Sequence, residues 1–278
     1  MGAPFLWSFE RKSVPVELLF GDRSFKLGRK FHTYVGHKNP DIDVLAGFWL
    51  ADNSGLAAPN RRYVYVSAGS ALLGSENDPG VLHIDTGGGP FDQHGKELVR
   101  TCSTSMLAER LGLKSAPGLK EILEWVTVFD NDETYFPDHH IHHVVTAIPN
   151  HPSCKDGEGV TDWEKVRVST YEHLDSFFSQ LKGRHTARER FSVDARAIPL
   201  SNGLVVYTYP RRYFYSELAL QRGADVGIQF HDKGSGRFYV GIKTMRGKNV
   251  VLTKVAALLR YVEGRKRGLE IPVKELGY

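Results

Sequence analysis

Cysteine is scarce in this chain, with only Cys102 and Cys154 among its 278 residues. So small a number argues against a disulfide framework and is compatible with a reducing compartment. Long hydrophobic runs are missing too, since no apolar stretch approaches the length of a membrane-spanning helix. Charged residues 10–12 also interrupt any signal-peptide pattern near the N-terminus. We therefore expect a soluble cytoplasmic protein that does not associate with membranes.

The chain has little excess of charge of either sign, with 36 Lys and Arg against 32 Asp and Glu. A net charge of +4 is a poor argument for nucleic-acid binding by itself. Basic residues do cluster in the last third, at 211–212, 243–248 and 260–267. Such clusters favour a phosphate-bearing substrate. The alternative is that they are solvated faces of strands and of a terminal helix.

Hydrophobic residues make up 41% of the chain, and they recur at the spacings of helices and strands. A strand-like run at 31–35 precedes an apolar helix at 44–50, a strand at 62–66 and a second apolar run that ends at Asp85. This order predicts an α/β domain with a parallel sheet and crossover helices. Helices are predicted at 103–111 and 118–129.

The rest of the sequence predicts a long loop at 137–159, a linking helix at 162–190 and a smaller α+β domain. That domain has strands at 203–209, 226–230 and 237–242 and a closing helix at 250–263. We divide the chain into a catalytic domain at 1–160, a linking helix at 161–191 and a substrate-binding domain at 192–278.

Possible metal ligands follow two of the predicted strands. His37, Asp41 and Asp43 come after the first strand, Asp85 ends a later one, and residues 92–94 read Asp-Gln-His. Loops at the carboxyl ends of parallel strands are where α/β sheets bind ligands. Carboxylates and imidazoles suit Mn²⁺ or Mg²⁺, and a shared carboxylate can hold two ions for phosphoryl hydrolysis. Asp85 is our candidate for that shared ligand.

Two of these features have plain structural alternatives. The Gly87-Gly88-Gly89 turn has few side chains to block a phosphate and its N–H groups can face an anion, but it can also be an ordinary tight turn. Asp43 can bind a metal or can cap the helix predicted to begin near Val44.

In these motifs the chain resembles the DHH phosphoesterase superfamily, most of all the branch with the Myg-type metal-dependent RNA exonucleases. The matching residues are His37, Asp41 and Asp43 in the first motif, Asp85 in the second, Asp92 to His94 in the third and Asp130 in the fourth. The resemblance extends in order over most of the chain, although only these short motifs are specific.

The resemblance implies one metal ion at His37, Asp41 and Asp85 and a second at Asp43, Asp85 and Asp130. It further implies a hydrolase in which a water activated by both ions attacks phosphorus in RNA, short oligonucleotides or nucleotides. By the same analogy His94 and Asp92 are catalytic, with His94 contacting the scissile phosphate or acting as an acid. The substrate-binding residues it implies are Gly87, Gly88, Arg212, Arg237, Lys243 and Arg246.

The chain departs from the family pattern at two places and contains one misleading match to it. Gln93 stands where the third motif has histidine, and a Gly-Gly-Gly-His motif near the C-terminus is absent. A literal Asp138-His139-His140 lies in the predicted long loop, which we interpret as a coincidental match without a preceding strand. The histidines at 139–143 indicate either a metal-binding lid or a surface loop with incidental metal affinity.

Three questions stay open at this level. The enzyme can instead be a phosphomonoesterase or pyrophosphatase, or the fold can serve as a catalytically silent nucleotide-binding regulatory protein. A homodimer is a further alternative to a monomer. Aromatic residues of the second domain can stack on bases or pack in the core of that domain. They are Tyr207, Tyr209, Tyr213, Phe214 and Tyr215.

Overall fold

A strand, a helix and two further strands open the described part of the computed structural model, which comprises residues 30–75, 77–94, 100–132, 141–200, 203–232 and 238–244. Strand β1 is Phe31–His37, helix α1 is Ile42–Asn53, strand β2 is Ala57–Val66 and strand β3 is Val81–His83. The strands form a sheet of order β2-β1-β3, and β1 pairs in parallel with both neighbours. The predicted parallel sheet is confirmed.

Helix α1 lies at the centre of the first hydrophobic core. Every residue from Ile42 to Ala51 is buried, including Phe48 and Trp49, as expected for a helix that is apolar all round. The Tyr34 ring on β1 packs 5.7 Å from that of Phe48, measured between centroids. The predicted buried helix is therefore confirmed, with bounds slightly wider than the apolar run.

The next helices are α2, Ser103–Arg110, and α3, Leu119–Asp132, both close to the predicted ranges. Helix α4, Ile141–Ala147, and two 3₁₀ turns, Ile148–Asn150 and Pro152–Cys154, follow. The predicted loop at 137–159 is thus wrong over residues 141–154. Val145 and Ile148 lie three residues apart and both bury in the core, so tertiary packing outweighs a composition rich in Pro, His and Asn.

Helix α5, Trp163–Asp194, has 32 residues, four more at its C-terminal end than predicted. The chain divides into two compact units within this helix, between Lys182 and Gly183. In the first unit Val166, Tyr171, Leu174 and Phe178 of α5 join the core around α1.

The second unit contains strands β4, Arg196–Pro199; β5, Val205–Pro210; β6, Val226–Asp232; and β7, Phe238–Thr244, with helix α6, Tyr215–Gln221. Its sheet has the order β4-β5-β6-β7, and only the β5-β6 pair is parallel. The three predicted strands are confirmed, whereas β4 and α6 were not predicted. The helix predicted at 250–263 lies outside the described residues.

The described residues thus form a mixed α/β structure with one parallel sheet of three strands and one mixed sheet of four. Among its described helices, none combines the length and the apolar character that crossing a membrane requires.

Candidate metal centre

The residues of the candidate site meet at the carboxyl end of the first sheet. His37 is the last residue of β1, and Asp41 and Asp43 lie at the start of α1. Strand β3 ends two residues before Asp85. Because β1 and β3 are parallel neighbours, both loops open at the same edge of the sheet.

Asp85 is the centre of the cluster. Its carboxylate is 2% exposed, with Oδ2 3.2 Å from His37 Nε2 and Oδ1 3.0 Å from His94 Nε2. Its backbone adopts φ of 54°, a left-handed conformation that is uncommon outside glycine. The backbone N–H of Asp85 donates to the Phe91 carbonyl at 3.0 Å, which closes the turn between the second and third motifs. One buried carboxylate therefore faces both histidines.

His37 is oriented by a backbone contact. Its Nδ1 lies 2.9 Å from the Lys38 carbonyl and donates there, so Nε2 is the nitrogen directed at Asp41, at 3.6 Å, and at Asp85, at 3.2 Å. Hydrogen bonds to Asp41 and then to Asp85 raise the pKa of His37 to about 10. Metal ligands are commonly oriented in this way, with the second ring nitrogen on a backbone carbonyl.

Asp41 caps helix α1. Its Oδ1 accepts from the N–H groups of Asp43 at 2.9 Å and Val44 at 3.1 Å, while Oδ2 faces His37. Burial raises the pKa of Asp41, but the hydrogen bonds from His37 and Val44 outweigh it and the net shift is downward. The alternative that Asp43 caps this helix is therefore wrong, because Asp41 does so.

Asp43 is fully buried and caps a different helix. Its Oδ2 accepts from Ser103 N–H at 2.8 Å and its Oδ1 from Thr104 N–H at 2.9 Å, at the start of α2. Burial, followed by repulsion from Asp85 and Asp41, raises the pKa of Asp43 to about 6. Each carboxylate oxygen keeps a second lone pair, so these bonds still allow a metal contact.

Asp130 comes from the last turn of α3. Gln93 Nε2 donates to its carboxylate at 3.2 Å and to Asp85 Oδ1 at 2.8 Å. Burial, with repulsion from Asp43, Asp85 and Asp41, raises the pKa of Asp130 to about 8. A buried group of carboxylates that repel one another in this way is an environment that a cation would stabilise.

The structure brings together both predicted ligand triplets. In each, one candidate ligand atom per residue lies within 4.8 Å of the others: His37, Asp41 and Asp85 in one, and Asp43, Asp85 and Asp130 in the other. Asp85, Asp92 and His94 satisfy the same criterion. Asp85 belongs to all three groups, and the donors are imidazole and carboxylate, which fit Mn²⁺ or Mg²⁺.

Asp92 fixes the backbone of the third motif through hydrogen bonds. This carboxylate is 2% exposed and accepts from Gly88 N–H at 2.7 Å and His94 N–H at 3.0 Å. The Gly88 N–H, predicted to face a phosphate, is thus already hydrogen-bonded. Gly87 and Gly88 both have positive φ, which the turn requires of them. His94 projects from this turn with 66% of its side chain exposed.

Comparison with known proteins identified no relative of this chain. No protein-family model matches the chain, and no curated protein matches it.

The remaining predicted residues lie in the second unit or outside the described part of the chain. Arg212 and Lys243 are exposed in the second unit, where Arg212 Nε lies 3.4 Å from Asp194. Arg237, Arg246, His139 and His140 lie outside the described residues.

Most of the aromatic residues pack rather than project. Tyr209 and Tyr215 are about 1% exposed and pack around Phe191, so the base-stacking interpretation is wrong for these two. Tyr213 is 82% exposed.

Sequence reasoning missed Ser103 and Thr104 as partners of the site. Thr104 Oγ1 donates to the Asp43 carbonyl at 2.7 Å, and Ser103 Oγ donates to Gln93 Oε1 at 2.6 Å. The signal was the Ser-Thr-Ser start of α2, which indicates a helix N-terminus but not the acid that it faces.

Proposed function

We propose that this chain is a metal-dependent phosphoesterase with a DHH-like arrangement, acting on phosphodiesters in RNA, short oligonucleotides or nucleotides. The observation that carries the proposal is the position of Asp85, a buried carboxylate shared by the two predicted ligand triplets. A shared carboxylate between two divalent ions is a recurring arrangement in hydrolases of phosphate esters.

The donor set fits such ions. His37, Asp41 and Asp85 would hold one ion, and Asp43, Asp85 and Asp130 the other. Bound divalent ions would supply Lewis acidity toward the phosphate and lower the pKa of a water molecule. The carboxylates gain from the same charge, since an ion would relieve the repulsion that raises the pKa of Asp130.

The position of His94 suits a direct role of its side chain in the hydrolysis. It is exposed, its Nε2 lies 3.0 Å from Asp85, and its backbone is fixed through Asp92. An imidazole held in this way can donate a proton to a leaving oxygen or contact a phosphate oxygen. Asp92 acts as a positioning residue, because both of its oxygens accept from backbone N–H groups.

Features of the second unit support an oligonucleotide as the substrate. The Arg211 guanidinium lies 5.2 Å from the centroid of the Tyr239 ring, and Tyr213 and Lys243 are exposed. Exposed aromatic rings beside cations bind single strands by stacking and by phosphate contact. A compact substrate such as pyrophosphate, the alternative within the same reaction class, would gain nothing from them.

A catalytically silent nucleotide-binding protein is the second candidate, and Gln93 favours it. An amide here hydrogen-bonds to Asp85 and Asp130, in the place where the family pattern has an imidazole. Nucleotide binding without turnover in Mn²⁺ would support this candidate.

The test is hydrolysis by metal-stripped protein supplied with Mn²⁺ and single-stranded RNA, DNA, dinucleotides or pyrophosphate. We expect turnover of the nucleotide chains by the wild type and none by Asp85→Asn. Turnover of pyrophosphate alone would favour the compact-substrate alternative, and binding without turnover the silent one. Equal turnover by Asp85→Asn would contradict the proposal.

A further inference from the structure

The side-chain amide of Gln93 lies among the carboxylates of the second triplet. Its Nε2 is 2.8 Å from Asp85 Oδ1 and 3.2 Å and 3.4 Å from the two oxygens of Asp130. Its Oε1 accepts from Ser103 Oγ at 2.6 Å. The end of this side chain therefore touches two of the three acids that define the triplet.

These separations match those between ligands of one cation. Two oxygens bound at right angles to an ion, with bonds of about 2.1 Å, lie about 3 Å apart. The Nε2 position of Gln93 stands at this distance from Asp85 and Asp130. A half-turn of the planar amide would bring Oε1 to the place of Nε2, and an amide oxygen is an accepted ligand of hard cations.

We propose that Gln93 is a ligand of the ion held by Asp43, Asp85 and Asp130, through Oε1 after this half-turn. The inference rests on the proposed function and adds to it a specific ligand set for the second ion. Without an ion, the amide keeps its N–H groups toward the two carboxylates, which separates them but adds no positive charge. With an ion bound, the acids no longer need a donor and the amide oxygen completes the set.

Ser103 is suited to both orientations. It is fully buried, and its own N–H is fixed on Asp43 Oδ2 at 2.8 Å. Its hydroxyl now donates to Oε1, and a hydroxyl can accept as well as donate. After the half-turn it accepts from Nε2 without moving. Ser103 thereby keeps Gln93 positioned in the ion-free and the ion-bound state.

The ligand sets of the two ions then differ in chemistry. The first contains an imidazole, His37, whereas the second contains only oxygen atoms from three aspartates and one glutamine. Oxygen ligands suit Mg²⁺, Mn²⁺ and Ca²⁺, and imidazole also suits Zn²⁺. We expect the second ion to be the one that discriminates against zinc.

The experiment compares Gln93→Glu with Gln93→Leu in Mn²⁺ titrations of the metal-stripped full-length protein, followed by calorimetry. A ligand role predicts that Gln93→Glu keeps the second ion, because a carboxylate supplies oxygen, while Gln93→Leu weakens it about tenfold or more. A donor role predicts that neither variant loses the second ion, because a cation takes over the stabilisation of the two carboxylates that the amide donor supplied. Binding of the second ion by Gln93→Leu with wild-type affinity would overturn the inference.

Gln93→His is the third variant, because it places an imidazole among the oxygen ligands of the second ion. We expect it to raise affinity for Zn²⁺ relative to Mg²⁺ at the second site by about tenfold, and an unchanged ratio would count against the all-oxygen set. Failure here is distinguishable from failure of the proposed function. If the wild type binds two ions but the variants leave the second unchanged, only the Gln93 inference fails. If the wild type binds no ion, both fail.

Discussion

At the scale of single residues, Asp85 places the strictest requirements on its side chain of any described residue of the site. It combines a left-handed backbone, near-complete burial and contact with two imidazoles. Strained and buried ionisable residues concentrate at functional sites, because their cost must be offset by what they do. Asparagine tolerates the same backbone conformation, so Asp85→Asn tests the charge of the carboxylate without a backbone penalty.

We expect Asp85→Asn to lower hydrolysis at least about a hundredfold, since one change removes a charged ligand from both ions. His32→Ala is the control, because His32 is an exposed histidine of β1 that faces Asp78 at 3.4 Å and belongs to neither ligand triplet. Steady-state rates with single-stranded RNA measure both. An Asp85→Asn enzyme with near-normal rates would exclude the shared-ligand assignment.

The pH dependence of stability follows from three residues of the site. In the ion-free protein the pKa of His37 is raised to about 10, that of Asp130 to about 8 and that of Asp43 to about 6. All three groups bind more protons folded than unfolded, so stability falls as pH rises through these values. We expect the Tm of metal-free protein to fall between pH 6 and pH 9.

Added Mn²⁺ should reverse this trend, because binding replaces protons on the same ligands. The gain in Tm from Mn²⁺ should therefore be larger at pH 9 than at pH 6, as thermal melts at the two values would show. The same gain at both values would mean that the ion binds elsewhere. Asp85→Asn should show little gain at either pH.

At the scale of elements, helix α1 must approach β3 and α2 closely for the site to form. A Cβ on Gly47 would lie 2.6 Å from Ile84 Cγ2 and 3.4 Å from Thr104 Oγ1. Ile84 directly precedes Asp85, and Thr104 N–H binds Asp43. The absence of a side chain at position 47 thus sets the distance between two ligand-bearing segments.

Gly47→Ala should destabilise the fold by about 1–3 kcal/mol, since the added methyl must push Ile84 away. Gly157→Ala is the control, with nothing within 4 Å of its Cβ, and should change stability by less than about 0.5 kcal/mol. Urea unfolding measures both. Equal stabilities for the two variants would show that α1 has room to move.

Some sequence patterns were sufficient to predict a helix or strand, and others were not. A continuous apolar run predicted α1, and β-branched and aromatic clusters predicted β5, β6 and β7, because each pattern reports its own burial. Helix α4 was missed because its sequence, Ile-His-His-Val-Val-Thr-Ala, has an unfavourable composition and gains stability from Val145 in the core. Strand β4 is exposed throughout, so no apolar alternation marks it.

At the scale of the whole molecule, the two units carry different functional features. The first unit holds the described ligands of the candidate centre, and the second holds exposed cations and aromatic rings.

If the second unit binds the nucleic-acid backbone, Lys243→Ala should weaken RNA binding at all sequences and reduce the slope of log K against log salt concentration by about one. Lys120→Ala, on α3 near Glu124, should leave both unchanged. Fluorescence anisotropy at several salt concentrations measures this, and an unchanged slope for Lys243→Ala would exclude the contact.

The predicted ligand set came from short motifs, and the structure brings all five predicted ligands together. What the motifs could not supply is the network behind them: Asp41 rather than Asp43 caps α1, Asp43 reaches across to α2, and Gln93 joins two acids. These contacts link residues up to 61 positions apart, and local sequence patterns carry no information at that separation.

The most direct test of the account is to count the ions that the metal-stripped protein binds. Calorimetric titration with Mn²⁺ near pH 8 should give about two ions for the wild type and none bound tightly by Asp85→Asn, because that carboxylate serves both. Equal binding by the two proteins, or none by the wild type, would contradict a two-ion centre built on Asp85.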